Sequence, residues 1–266
     1  MVNKIASVIL TFNRPNYFKR TLNSLEKNIE IEDIDWFILQ DGKQNKISKE
    51  VYSEVKPHEK VLELAHNSIL PNKHIITQEF NISPAQQRYK ALELLNDYEL
   101  LFCFDDDMVV SRYYIKLLKQ MANQFPNYIG LLYSNKKRSS KMDILRVVNN
   151  PRLWGHYITQ ESYFKIKDKY KKYYEFMKTF DYHQRRSSGV DMSNTSFIMD
   201  DIVITRLCRQ KGIKKLEPDV SRGLYIGKFG MVAYKTENYW NKKKMNKQSK
   251  DIEFESDRNL ERFILK

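Results

Sequence analysis

Cysteine is nearly absent from this chain: Cys103 and Cys208 are the only two in 266 residues. Each stands among apolar neighbours with no second pair at zinc-ligand spacing, which excludes a zinc knuckle and leaves buried, reduced thiols as the expectation. No apolar run approaches the roughly 18 residues that a membrane span requires. The stretch MVNKIASVILTFNRP is interrupted by Thr11, Asn13 and Arg14 and lacks a small-residue cleavage site, so it does not fit a signal peptide, and a cytoplasmic protein is expected. Neither an internal repeat nor a Gly/Ser linker marks a domain boundary. Acids are the scarcer charge, 33 Asp and Glu against 46 Lys and Arg, and the resulting +13 points to a polyanionic partner: nucleic acid, anionic lipid or a phosphorylated substrate.

What the chain does have is enough apolar material for one large core, at 41% hydrophobic and 13% aromatic. Its first half alternates two periods. IASVILTF (5–12) and DWFILQD (35–41) read as short buried strands, and a third is expected near KVLEL (60–64). Between them, RPNYFKRTLNSLEKN places Phe18, Leu22 and Leu25 on one helical face, with Pro15 in the first turn. Ser83-Pro84-Ala85-Gln86 reads as a capping box opening a helix with Ala85, Tyr89 and Leu92 on one side. YELLFCF is the next strand. SRYYIKLLKQMANQF is a helix faced by Tyr114, Leu117, Leu118 and Met121, YIGLLYS a strand, and DDIVITRLCRQKG a helix with Gly212 as its C-cap. Such alternation implies a mostly parallel sheet whose ligands bind beyond the carboxyl ends of the strands.

Asp105, Asp106 and Asp107 stand at such an end, as does Asp41. Three adjacent carboxylates repel, and two readings answer that cost: a solvated turn favouring the next helix's positive end, or a site for Mg²⁺ or Mn²⁺, which take oxygen ligands and leave positions for phosphates. Strand alternation would turn Asp105 and Asp107 to one side, with Asp106 opposed or turned into the loop. Asp200 and Asp201, at a helix start, are either capping residues or a general base for an acceptor hydroxyl.

The segments SVILTFNRPNYFKRTLNSL, FILQDG, FDDDMVVSRYY, MDD and EPDVSRGLYIGKFG resemble, in order and spacing, glycosyltransferases of the GT-A fold. Pro218-Asp219-Val220-Ser221-Arg222 with Gly227 and Gly230 is similar to the β-1,2-N-acetylglucosaminyltransferase I family, including its relative that extends protein O-mannose. The resemblance implies an α/β, Rossmann-like catalytic domain over 1–236, with a nucleotide-binding half at 1–135 and an acceptor half at 136–236, followed by a basic extension at 237–266. It implies a UDP-sugar donor, normally UDP-N-acetylglucosamine, a bound Mn²⁺ or Mg²⁺, and inversion at the anomeric carbon. Carried over by position, Thr11, Arg14, Asp41, Asp105 and Asp106 are nucleotide-binding, Asp41 reading the uracil. Asp107, with Asp105, holds the metal. Trp154, Gly155 and Arg222 face donor or acceptor sugar. Asp200 aligns with the base if Met199 stands for the family's tryptophan, and Asp201 if the helix is read like the Glu-Asp motif of the family-2 transferases. This chain lacks the family's histidine near Ser83 and has Val232 and Ala233 where a donor-binding serine is expected.

Several residues admit two roles. His156 and His183 are ligands or packed side chains, and Tyr173, Tyr174 and Phe176 are an acceptor platform or core. Lys242, Lys243, Lys244, Lys247 and Lys250 are a solvated face or a contact with an anionic membrane bearing a lipid-linked glycan acceptor. Two other classes compete. A basic nucleic-acid-binding protein accommodates +13 with abundant Tyr and Phe, but no recognised RNA- or DNA-binding motif is present and no specific nucleic acid is expected. A nucleotidyltransferase would show glycines after the first strand, and TFNRPNYF has none.

Overall fold

A computed structural model of the chain describes residues 4–134, 141, 143–149, 153–181, 200–227 and 260–266. Strand β1 (Ile5–Thr11) is buried along its whole length. Its side chains divide by parity: Ile5 and Ile9 enter one core, Ala6, Val8 and Leu10 the other. A strand buried on both faces belongs in the middle of a sheet covered by helices on each side. Helix α1 (Pro15–Glu26) follows, then β2 (Ile34–Gln40), α2 (Val55–Asn67), β3 (Lys73–Thr77), α3 (Ser83–Glu93) and β4 (Leu100–Asp105). β5 (Met108–Val110), α4 (Tyr114–Gln124), β6 (Tyr128–Leu131), β7 (Ile144–Val148), β8 (His156–Thr159) and α5 (Gln160–Met177) come next. α6 (Asp200–Gln210), β9 (Lys214–Pro218), β10 (Gly223–Tyr225) and β11 (Ile264–Leu265) complete the described elements.

Among the described residues the main sheet runs β11-β7-β9-β6-β8-β4-β1-β2-β3. β3, β2, β1 and β4 are parallel throughout, whereas β8 lies antiparallel between β4 and β6, and β7 antiparallel to β9. The sheet is therefore mixed, and its parallel part is the half that carries Thr11, Asp41 and Asp105 at one edge. α1, α2 and α4 cover one face with Phe18, Leu22, Val61 and Leu118, and α3, α5 and α6 the other with Tyr89, Tyr163, Tyr170 and Ile204. A separate ribbon pairs β10 antiparallel to β5. No helix among the described residues is long and apolar enough to cross a membrane.

Two local expectations are corrected. KVLEL is not a strand but the middle of α2, where Val61 and Ala65 at i, i+4 are the buried positions. The third strand is β3, an edge strand without a buried face. The helix at Ser83 begins where expected, but not by a capping box: Ser83 has φ of 76° and its buried hydroxyl makes no hydrogen bond. The Asp41 carboxylate accepts the N–H groups of Ile82 (2.8 Å) and Ser83 (3.0 Å) instead, so a side chain from β2's end caps α3. By contrast, α6 ends as read: Gly212, at φ 74°, donates to the Arg209 carbonyl and Ile213 to that of Cys208, the Schellman pattern. Of the basic extension, the described residues 260–266 pack on the sheet edge, with Phe263 buried and Gln124 bonded to its backbone. Lys242 to Lys250 lie outside the described residues.

Candidate active site

β4 sets the geometry. Leu100, Phe102 and Phe104 point to the α1/α4 side, Leu101 and Cys103 to the α3/α6 side. Parity puts Asp105 on the second side, toward α3 and α6. The strand stops there, so alternation does not carry on to Asp107: Asp106 and Asp107 form the turn into β5. Asp106 thus turns into the loop, one of the two expected placements, but Asp107 goes with it rather than sharing a side with Asp105. Asp105 goes to Arg88, while Asp106 and Asp107 share Arg14.

Asp106, on the α1 side, is fully satisfied. Arg14 ion-pairs with its Oδ1, and the Thr11 hydroxyl donates to Oδ2 at 2.9 Å. Thr21 donates to its carbonyl at 2.8 Å. Asp107 Oδ2 meets Arg14 Nη1 at 2.7 Å, but its buried Oδ1 has no hydrogen-bond partner among the described residues. The backbone approaches this carboxylate closely at Gly227, where a Cβ would overlap the Asp107 side chain. Burial raises the pKa values of Asp105, Asp106 and Asp107, against the lowering pull of Arg88 on the first and Arg14 on the other two.

Across the cavity, Asp200 and Asp201 open α6. Asp200 is buried and ion-paired with Arg88 Nε. Asp201 accepts from the Ile202 N–H at 2.8 Å. Burial, then the charge of Asp200, push its carboxyl up to about 7, with Arg88 acting in the opposite sense. That value suits a group required to take a proton near neutrality.

Thr11, Arg14, Asp41, Asp105, Asp106 and Asp107 all line one cavity of about 170 Å³, and Trp154, Asp200 and Asp201 line it with them. Asp41 accepts a third N–H, from Gly42 at 3.0 Å, and burial raises it to about 7 despite these bonds. Trp154 stacks face to face on Tyr225, with centroids 4.3 Å apart and planes 6° from parallel, making an aromatic wall beside Asp107.

Two expected sugar contacts are corrected. Arg222 is completely buried and outside the cavity lining; its backbone donates to Leu132 (2.7 Å) and accepts from Ser111 (2.9 Å), joining β10 to the sheet. Gly155 is buried as well, with φ 58° and its carbonyl accepting from the Tyr114 hydroxyl at 2.7 Å, so its place is a packed turn behind Trp154. His156 is packed too: fully buried, bonded to the Leu153 carbonyl, and held neutral by burial and by Arg88, which bring it down to about 3. Tyr174 stacks on Tyr89 at 3.9 Å, and Tyr173 also packs on the core. His183, Met199, Gly230, Val232 and Ala233 lie outside the described residues. Arg88 and Tyr225 went unnoticed in the sequence. For Arg88 the sequence offers no clear signal, because Tyr89 is flanked by both Arg88 and Lys90 and nothing in their spacing shows that only the first is buried.

A divalent cation suits this donor set. The groups are all oxygens, Asp107 Oδ1 is a buried acceptor lacking a donor, and burial raises the pKa values of Asp105 and Asp107. No cluster of three or more ligating side chains exists among the described residues. Substrate phosphates and water would therefore complete the coordination.

The family model described as Glycosyl transferase family 2 matches residues 7–188, more than half of the chain. Among solved structures, S. aureus TarS 1–349 in complex with UDP is similar, with a TM-score of 0.51, 13% identity, and coverage of 80% of this chain and 57% of that one. The same TarS fragment with UDP-GlcNAc gives 0.45 at 15% identity, over 62% and 47%. The chain thus spans little more than half the length of TarS 1–349, and at this identity the likeness concerns the fold. No curated protein matches the sequence.

Proposed function

The chain belongs to glycosyl transferase family 2 and is a glycosyltransferase of the GT-A fold, and from that premise we propose that it transfers a sugar from a UDP-sugar to a hydroxyl of a glycan or glycolipid, with inversion and with Mn²⁺ or Mg²⁺ as cofactor. Family membership displaces the nucleic-acid-binding and nucleotidyltransferase readings. The observation that carries the proposal is the juxtaposition of the acids at the end of β4 and the carboxylate pair of α6 across a single cavity. A uridine donor is supported by the place of Asp41 at the β2 end of that cavity and, by analogy of fold, by the UDP found in TarS 1–349. N-acetylglucosamine is the sugar suggested by the finer resemblance to the β-1,2-N-acetylglucosaminyltransferase I family, with another hexose or hexosamine equally suited to the cavity's chemistry. The proposed setting is cytoplasmic, with a peripheral anionic membrane contact through the basic extension.

In this mechanism Asp107 and Asp105 would hold the cation, which would supply charge neutralisation for the leaving diphosphate. Arg14 and Thr11 fix the turn that presents these acids, so little reorganisation is needed as charge develops. The Trp154–Tyr225 wall offers an apolar face to the donor sugar. Asp201 is the base: it takes the proton from the acceptor hydroxyl, whose oxygen bonds to the anomeric carbon as the bond to phosphate breaks and its electron pair leaves with UDP. Asp200, engaged by Arg88, is not assigned that step.

A melting-temperature panel of UDP-, GDP- and CMP-sugars with and without Mn²⁺ tests the reading, since a ligand at 100 times its Kd stabilises by about 2.7 kcal/mol. A shift confined to UDP compounds and dependent on Mn²⁺ is expected. If no nucleotide moves the transition, the donor assignment is wrong.

A further inference from the structure

Arg88 is the one residue whose side chain joins the two acidic groups of the cavity among the described residues. It lies on α3 at 5% exposure. Its Nη2 donates to Asp105 Oδ1 at 2.8 Å, its Nε to Asp200 Oδ2, and its Nη1 to Cys103 Sγ at 3.2 Å. All three guanidinium nitrogens are thereby committed, two of them to β4 and the third to the first residue of α6. Only a planar fork satisfies three acceptors in different directions at once; a lysine ammonium is a point donor on a flexible stem. The cation also sits on the buried side of the cavity, with Cys103 and the neutral His156 behind it, so water does not offer Asp105 or Asp200 an alternative partner from that direction.

Such a link has a consequence for catalysis. The donor's leaving group is placed by the end of β4, and the acceptor's proton is taken at the start of α6. These elements come from distant parts of the chain, and misplacing reacting groups by about 1 Å can cost about 10² in rate. We propose that Arg88 and Asp200 form a positioning pair that fixes α6 against β4, so that Asp201, next along the helix, stands opposite the donor site. Arg88 is in this account a positioning residue, and Asp200 its anchor. The inference rests on the transferase reading given above and deepens it, since it separates the roles of two adjacent acids.

Among the described residues, the charged groups that act on Asp201 are Asp200 on its own helix, Arg88 from α3 and Asp105 from β4. The two members of the pair act on it with opposite sign, Asp200 raising and Arg88 lowering its pKa. Removing either therefore moves the acidic limb of the kcat profile in opposite directions: up in pH for Arg88→Met, down for Asp200→Asn.

The test compares the wild-type chain with Arg88→Met, Arg88→Lys, Asp200→Asn and Asp201→Asn in a sugar-transfer assay with Mn²⁺, reading kcat, donor KM, the pH profile and the melting temperature. Expected for Arg88→Met is a fall in kcat of about 10²-fold with donor KM little changed. Arg88→Lys should recover part of the rate, and Asp200→Asn should lower kcat while keeping an acidic limb that Asp201→Asn loses. An Arg88→Met chain that melts lower but turns over at the wild-type rate would reduce the pair to a structural ion pair. Loss of the limb in Asp200→Asn, with its retention in Asp201→Asn, would make Asp200 the base and overturn the assignment. If Arg88→Met does not fold, Arg88→Lys and Asp200→Asn carry the same comparison, because each leaves a polar group in the site. A wild-type chain that transfers no sugar sinks the transferase mechanism itself, whereas an active wild type with an indifferent Arg88 sinks only the positioning role.

Discussion

Arg14 and Arg88 both lie against buried carboxylates of one cavity, yet Arg14 closes on Asp106 and Asp107, neighbours in a single turn, while Arg88 reaches from α3 to acids on β4 and α6. In the first arrangement the two acids are sequence neighbours, although Arg14 itself reaches Asp106 from 92 positions away. It compensates a charge cluster that one tight turn creates, and Thr11 shares the task. The second is long-range, because Asp105 and Asp200 are far apart in sequence and have no reason to meet except through the cation. Neutralising charge and setting geometry are therefore separable jobs even when the same residue type performs them. On the Arg14 side, Asp107 is left with an acceptor available for a cation. On the Arg88 side, Asp201 is left beside the pair, raised to about 7 and facing the cavity.

The sharpest break of this comparison is Asp201→Asn. Loss of a general base is worth about 10²- to 10⁴-fold. Turnover should fall by that much while UDP with Mn²⁺ still raises the melting temperature as in the wild type. Unchanged turnover would remove the chemical distinction between the two sides.

Arg14→Met should act mainly on stability. It leaves Asp106 and Asp107 buried with their main partner gone, a change that costs about 3–5 kcal/mol in comparable pairs. Denaturant unfolding measures it, and adding Asp106→Asn to the same chain should recover part of the loss. A loss under about 1 kcal/mol would show that the turn is solvated rather than dependent on the arginine.

The smallest effect concerns pH. Asp41 and Asp201 are raised to about 7 in the folded chain, so the fold binds their protons more tightly than the unfolded chain does. Their contribution to stability is fully present below the unfolded carboxylate value of about 4 and is lost as pH rises through about 7. In the proposed mechanism Mn²⁺ would show the opposite trend, since it would compete with protons for the raised Asp105 and Asp107. Melting curves across this window should show the metal-free chain losing ground with pH while the increment from Mn²⁺ grows. An increment independent of pH would mean that the cation does not bind these acids.

Much of the fold was readable because the parallel strands are buried on both faces and the helices on one. Runs such as IASVILTF and the spacing of Phe18, Leu22 and Leu25 have few other interpretations. KVLEL misleads for a physical reason: five residues cannot distinguish period two from 3.6, and the stretch belongs to a longer helix whose buried positions are Val61 and Ala65. β3 was hard to read because an edge strand with no fully buried residue alternates only weakly, Ile75 being half-buried against the core. Within the candidate site, acids at strand ends and at a helix start announced themselves by type and place. Arg88 did not, since an arginine on a helix is ordinarily solvated and its two acidic partners are set by the tertiary fold. Arg222 and Gly155 show the converse error. They belong to segments that do approach the cavity, but their own side chain or backbone is used to hold β10 to the sheet and to pack the turn behind Trp154.

The stacked rings of Trp154 and Tyr225 give the molecule an optical handle. Trp36 is wholly enclosed by the core, whereas Trp154 borders the cavity, so the proposed nucleotide-sugar donor would alter the surroundings of Trp154 and leave those of Trp36 untouched; the third tryptophan, Trp240, lies outside the described residues. Intrinsic fluorescence, with Trp154→Phe as the blank, follows occupancy in real time without a label.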